Sequence, residues 1–146
     1  MVDDRALIHA ESCIGCGECY AVCRFSAVNI NFGRESSDLQ EYVAEHAAGV
    51  VRAVQGEFRH FNFLINMTKN CDCMNGGDRV APDIGILAGE NPATVDKASL
   101  DLFERVAGRS FAQAAHPRID PLVQVRHAAS LGLGGLEYDL EEVVPA

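Results

Sequence analysis

The segment "DIGILAGENPATVDKASLDLFERV", residues 83–106, places a strand signal directly before a helix signal. Its first seven residues form a short apolar run ended by glycine, which is typical of a core strand. Asn91 and Pro92 then provide an N-cap and a proline in the first helical turn. We predict a helix from Pro92 to about Val106. Its predicted inward face consists of Val95, Ala98, Leu102 and Val106.

The segment upstream predicts a second amphipathic helix, from about residue 38 to 55. Ser37 is a candidate N-cap because Gln40 follows three residues later, and Gly56 stands where a helix stop is expected. The apolar residues then recur at helical spacing on one predicted inward face. They are Leu39, Val43, Ala47, Val50, Val51 and Val54.

The other elements follow from similar signals. The aromatic run at 58–66 predicts a core strand, and the run "KNCDCMNGGDR" at 69–79 predicts a loop. A last helix is expected from Pro121 to a stop at Gly132, followed by a final strand over 136–143. This order of helices and strands favours an α/β or α+β layer over a helical bundle or a β-sandwich.

The segment "CIGCGECYAVCR", residues 13–24, contains four of the six cysteines at C-x2-C-x2-C-x3-C spacing. Three thiolates at this spacing can converge on a [4Fe-4S] cubane, while glycines between them let backbone N–H groups approach the sulfur atoms. Zinc is the main competitor, but zinc sites use two separated knuckles more often than one crowded run. We predict one [4Fe-4S] cluster bound by Cys13, Cys16, Cys19 and Cys23.

Short alternating segments at 5–9 and 28–32 are expected to be strands that bracket this run. Residues 5–32 resemble one half of a bacterial two-cluster ferredoxin, although Arg24 stands where that family usually has proline. The chain is therefore expected to comprise a ferredoxin-like cluster unit at 1–34 and an α/β region at 35–146, packed as one domain. The resemblance implies that the first three cysteines hold one cubane while Cys23 points to a second.

The remaining sequence resembles the C-terminal half of the family called domain of unknown function 362. The motifs that carry this resemblance are "NFLINMTKNCDC", "APDIGILAGENPATVDKASLDLF" and "LGLGGLEYDL". Full members have an additional N-terminal half, so the chain is expected to be a truncated or split member. One departure is Asn91-Pro92-Ala93-Thr94, where the family more usually reads Asp-Pro-Val-Ala.

The fourth cluster ligand has two alternatives, because the chain contains no second C-x2-C-x2-C run. Either Cys23 closes the cubane, which we expect, or Cys71 or Cys73 comes in from the loop. Cys71, Asp72 and Cys73 are also candidates for a second metal or substrate site, since two thiols one residue apart can bind a soft metal.

Other polar residues suggest no catalytic arrangement. Asp96 and Asp101 are expected on an exposed helical face, and His60 is expected to be half-buried with its hydrogen bonds satisfied. His116 is expected in a loop.

Composition limits the function classes. The chain has 146 residues with 12 Lys+Arg against 21 Asp+Glu, a formal charge of −9, which argues against a nucleic-acid surface. No apolar run reaches the length of a membrane span and the N-terminus lacks a signal-peptide pattern, so we expect a cytoplasmic protein with no membrane partner.

The leading functional hypothesis is one-electron transfer by a low-potential cluster to a redox partner protein. Ile14, Val22, Phe25, Ala27 and Val28 are expected to shield the cluster, and the acidic chain is expected to disfavour its reduction. Alternatives are half of a redox enzyme with its substrate or second metal at the Cys-Asp-Cys loop, or an interaction subunit with a structural cluster. Partners would be the N-terminal half of the family or a second copy of the chain.

Overall fold

The structure, a computed structural model, describes residues 7–13, 17–25, 27–28, 36–54, 56–70 and 77–143. The chain divides into two compact units, Met1–Arg34 and Glu35–Ala146. Each unit is described by itself. No helix in the described ranges combines the length and apolar character needed to cross a membrane.

The first unit contains a 3₁₀ turn at Ala10–Ser12 and a short helix, α1, at Glu18–Val22. None of its residues whose exposure is described is buried. The expected strand at 5–9 is wrong for its described part, because residues 7–9 have no regular structure. Leu7 and Ile8 are both exposed, so neither side chain is buried as one face of a core strand would be. The strand expected at 28–32 lies outside the described residues except for Val28, which is not in a strand.

The second unit mixes helices with a sheet, which confirms the expected α/β or α+β class. Its elements are α2 (Ser36–Ala53), β1 (His60–Leu64), β2 (Gly85–Gly89), α3 (Pro92–Ala107), α4 (Phe111–Ala114) and α5 (Leu122–Ser130). The two strands pair antiparallel, with Asn62 opposite Leu87. The predicted strands at 58–66 and 83–89 are therefore confirmed in shortened form.

Helix α3 packs against one face of this sheet. Leu87 of β2 forms a buried cluster with Val95 and Ala98 of α3, and Leu64 of β1 packs against it. The other face exposes Phe61, Phe63, Ile65 and Ile86 to solvent. The alternation of strand side chains thus gives the small sheet one covered face and one open face.

Helix α3 begins and ends where the sequence predicts. Asn91 is extended and precedes Pro92 at the first turn, although its side chain makes no cap hydrogen bond. Gly108 adopts a left-handed φ of 66° and its N–H donates to the Glu104 carbonyl, which ends the helix. Phe103, at 1% exposed, is the most deeply buried large side chain among the described residues. Val106, expected to face the core, is instead largely exposed.

Helix α2 is rotated relative to its predicted orientation. Its buried residues are Ala44 and Ala48, which cluster with Ala93, Ala128 and Leu133. Four of the residues expected to face inward are exposed: Leu39, Val43, Val50 and Val54. The expected cap Ser37 also lies inside the helix, which begins at Ser36. Close packing on alanines decides this orientation, since small side chains let two helix backbones approach each other.

The chain after α5 does not form the predicted final strand. Gly132, with a φ of 84°, follows the helix, and residues 136–143 have no regular structure. Side chains hold this segment instead of strand pairing. The Tyr138 hydroxyl donates to Asp101, and Thr94 exchanges hydrogen bonds with the backbone of Gly135.

Candidate functional site

Three of the four cysteines in the N-terminal run lie in the described residues. Cys13 follows the 3₁₀ turn, Cys19 lies in α1 and Cys23 is its C-cap. Cys13 and Cys19 are exposed, and Cys23 is half-buried. Cys16 lies outside the described residues.

Gly17 determines how the chain enters α1. Its φ of 73° is in the left-handed region, where glycine is favoured, and its carbonyl accepts hydrogen bonds from the N–H groups of Tyr20 and Ala21. The helix that follows separates Cys19 from Cys23 by about one turn. The left-handed Gly17 thus starts the short helix that carries Cys19.

The Cys23 sulfur atom accepts a backbone hydrogen bond. The Ala27 N–H lies 3.3 Å from Cys23 Sγ. Backbone N–H groups directed at sulfur stabilise thiolate over thiol, and they tune the potential of clusters bound through such sulfurs. This contact has the chemistry expected of an iron ligand.

The described residues include only three of the four predicted ligands. Within the described ranges, no group of three His, Cys, Asp or Glu side chains is placed to hold a metal ion. The donor set itself, four thiols in one short run with a backbone N–H on the last sulfur, fits an iron–sulfur cluster by its chemistry. The expected apolar cover is not formed by Val22 and Phe25, which are 69% and 90% exposed, and Ile14 lies outside the described residues.

Cys71, Asp72 and Cys73 also lie outside the described residues, but both ends of their loop are described. Thr68 and Arg79 form an antiparallel bridge, and the Val80 N–H donates to the Met67 carbonyl. The two ends of the loop are therefore joined by backbone hydrogen bonds.

Asp83 strengthens the base of this loop. Its Oδ1 accepts the Asn66 N–H at 2.6 Å and a hydrogen bond from Arg79. The Asn66 backbone bond has the largest effect and lowers the pKa of the Asp83 carboxyl. Desolvation opposes it, and the Arg79 guanidinium lowers the pKa further. Asn66 has a left-handed φ of 48°, so this bond also holds a turn that most side chains disfavour.

A family model now identifies the chain. The model of the domain of unknown function DUF362 matches residues 3–101. The chain belongs to this family. No curated protein and no solved structure gives a match. The matched part of this DUF362 chain includes the cysteine run, the loop at 69–79, both strands and most of α3.

The predicted exposure of Asp96 and Asp101 is wrong, because both are half-buried in this DUF362 protein and accept hydrogen bonds. Asn62 donates to Asp96 at 2.7 Å and to the buried Ser99 at 2.9 Å. Lys97 and Tyr138 donate to Asp101. Sequence reasoning missed Asn62, although a polar residue on the inward side of a strand pattern signals such a partner.

His60 and His116 differ in their hydrogen bonding. His60 stacks on Phe58 with ring centroids 6.2 Å apart. Its buried Nε2 has no hydrogen-bond partner among the described residues, so the expectation of a satisfied histidine is wrong there. His116 lies in a loop as predicted, with Nε2 3.2 Å from the Lys69 carbonyl oxygen.

Proposed function

We propose that this DUF362 protein binds one [4Fe-4S] cluster through Cys13, Cys16, Cys19 and Cys23 and serves in one-electron transfer. The observation that supports the proposal is the Ala27 N–H directed at the sulfur of Cys23 within a run of the required spacing. A half-buried cysteine that already accepts a backbone hydrogen bond is suited to completing a thiolate set.

The residues of the run have distinct roles in this proposal. The four thiolates bind iron, Gly17 starts the helix that carries Cys19, and the Ala27 amide stabilises negative charge on Cys23. When bound, the cluster supplies a one-electron donor and acceptor. The formal charge of −9 opposes the addition of an electron, so we expect a low potential.

Anaerobic purification followed by iron, sulfide and zinc analysis tests the proposal. We expect about four irons and four sulfides per chain, with an EPR signal after dithionite reduction. Cys16→Ser should sharply lower the iron content while the thermal unfolding of the second unit stays unchanged. Stoichiometric zinc without sulfide in the wild-type protein would overturn the assignment.

A second candidate, an interaction subunit, is favoured by the open face of the sheet. Phe61, Phe63 and Ile86 are exposed on a two-stranded sheet, which is marginal without further cover. The occupant we propose is a second copy of the chain, since an uncharged face is complementary to itself and each copy of this acidic protein would avoid opposing like charges there.

Sedimentation of the wild-type protein and Phe63→Ser distinguishes this candidate. We expect the wild type to be dimeric and the variant to shift towards the monomer. A wild type that stays monomeric at high concentration would contradict the proposed dimer. One-electron transfer would then stand without a dimer interface.

A further inference from the structure

A basic cavity of about 270 Å³ lies in the second unit, where the chain after β1 meets the connection between α4 and α5. It is lined by Lys69, Ala115, His116, Pro117, Arg118 and Ile119. Three of these six residues are basic and none of the six is acidic. Since the chain has 21 Asp+Glu against 12 Lys+Arg, the local charge is opposite to that of the whole molecule.

The walls of the cavity are held together by a specific contact. His116 Nε2 lies 3.2 Å from the Lys69 carbonyl oxygen, and the protonated nitrogen donates to it. Ala115, only 3% exposed, anchors the same connection in the protein. The segment that carries Lys69 and the segment that carries Arg118 are therefore fixed relative to each other.

The two permanent cations of the cavity are not neutralised by carboxylates in the described part of the chain. Neither Lys69 nor Arg118 takes part in the ion pairs found there. The carboxylate closest in sequence to Arg118, Asp120, is already engaged: its two oxygens accept hydrogen bonds from the Leu122 N–H and from Arg126. An external anion would meet little competition from these groups.

We propose that this cavity binds the phosphate group of a small phosphorylated metabolite. A guanidinium fork and an ammonium group suit a tetrahedral dianion, and the His116 ring adds a further nitrogen that can carry a proton. Phosphate would fill only part of the cavity, and Pro117 and Ile119 provide apolar walls for an organic portion. Nucleic acid is a poor fit because of the small cavity and the net negative charge. The site does not depend on the proposed cluster.

NMR titration of the full-length protein tests this inference. Inorganic phosphate and glycerol 3-phosphate are each added at constant ionic strength while the His116 ring signals are followed. We expect saturable shifts with both, and tighter binding of glycerol 3-phosphate. Linear, non-saturating shifts with both probes would overturn the proposal, as would acetate binding as tightly as phosphate.

Three glutamine variants provide the controls. Arg118→Gln and Lys69→Gln should each weaken binding at least about tenfold, because each removes a charge-assisted hydrogen bond. Arg105→Gln removes the same charge from an exposed position outside this cavity and should leave binding unchanged. Lys69 and Arg118 are exposed, and thermal unfolding checks that each variant remains folded. Equal effects of Arg105→Gln and Arg118→Gln would show a general ionic effect and overturn the site.

Discussion

At the scale of single residues, Cys23 differs from the other described cysteines in its surroundings. Cys13 and Cys19 are exposed, whereas Cys23 is half-buried and accepts the Ala27 N–H at its sulfur atom. Hydrogen bonding to the sulfur favours a thiolate, the form that binds iron. Cys23 as the fourth ligand, rather than Cys71 or Cys73, remains our prediction.

Cys23→Ala is expected to lower the iron content strongly, because it removes the proposed fourth ligand. The double change Cys71→Ala and Cys73→Ala is its matched comparison, since it also removes thiols but from outside the run. Iron analysis and EPR of the anaerobically reduced proteins measure both. Full iron and an unchanged spectrum in Cys23→Ala, with loss of iron in the double variant, would assign the fourth ligand to the loop.

Asp101 and Tyr138 form a hydrogen-bonded pair that contributes to stability. Burial alone would raise the pKa of Asp101, but hydrogen bonds from Lys97 and Tyr138 outweigh burial and lower the pKa below its ordinary value. Burial, followed by the hydrogen bond to Asp101, raises the pKa of Tyr138. The folded state thus favours ionised Asp101 and neutral Tyr138.

The lowered pKa of Asp101 predicts that the stability of the protein depends on pH. Its contribution to the free energy of unfolding is complete above the unfolded-state pKa of about 3.9 and is lost as pH falls through the lower folded-state pKa. Asp101→Asn should cost about 1 kcal/mol at pH 7, since the carboxylate is partly exposed, and should reduce the loss of stability in acid. Urea unfolding between pH 7 and pH 3 measures the effect. Glu104→Gln, an exposed change of the same charge, should behave like the wild type.

The Tyr138 shift acts at the other end of the pH range. A raised folded-state pKa means that its contribution is complete below about pH 10 and is lost as pH rises through the folded-state value. An Asp101→Asn protein whose stability matches the wild type at every pH would contradict this account of the pair.

At the scale of elements, the orientation of α2 depends on its smallest side chains. Ala44 and Ala48 are 2% and 1% exposed, whereas the larger Leu39 and Val50 of the same helix are more than half exposed. The buried alanines meet Ala93 of α3 and Ala128 of α5, so all three helices approach through alanine. The space between these helices cannot accept a larger side chain without a shift of the backbone.

Ala48→Leu is expected to destabilise the protein by about 1–3 kcal/mol, because the added atoms overfill this contact. Ala53→Leu makes the same substitution in the same helix at an exposed position and should change stability by no more than about 0.5 kcal/mol. Denaturant unfolding of both variants gives the comparison. If Ala48→Leu is tolerated, the packed face of α2 must instead include larger residues such as Leu39 and Val50.

At the scale of the whole molecule, the two units differ in what can stabilise them. The buried clusters of the described residues lie between residues 44 and 133, all in the second unit, and no first-unit residue of described exposure is buried. A short segment with little buried apolar surface often depends on a metal site or another staple for its order, and the described part of the first unit contributes none. The second unit has a core of its own around Phe103.

Removal of the proposed cluster should therefore affect the two units unequally. We expect amides 17–28 to exchange faster after anaerobic chelation, while those of α3 remain protected. Hydrogen exchange of the loaded and chelated protein makes the measurement, with α5 as an internal reference. Equal loss of protection in α3 would show that the second unit also depends on the metal.

The sequence by itself determined the parts of this protein that rest on local signals. The helix at Pro92–Ala107, both strands and the end of α5 follow from proline, glycine and apolar patterns within a few residues. The mixed fold class follows from their order, and the spacing of the N-terminal cysteines suffices for the cluster hypothesis. These features need no knowledge of distant partners.

Only the tertiary structure decided which apolar residues are buried and which polar residues meet. It placed alanines rather than valines of α2 in the core, left residues 136–143 without strand pairing, and joined Asn62 to Asp96 and Lys69 to His116. Each outcome depends on groups far apart in the chain. A periodic pattern shows that a helix has an apolar face, but it does not show how closely a partner helix can approach that face. Burial is set by that approach, so only the assembled structure decides it.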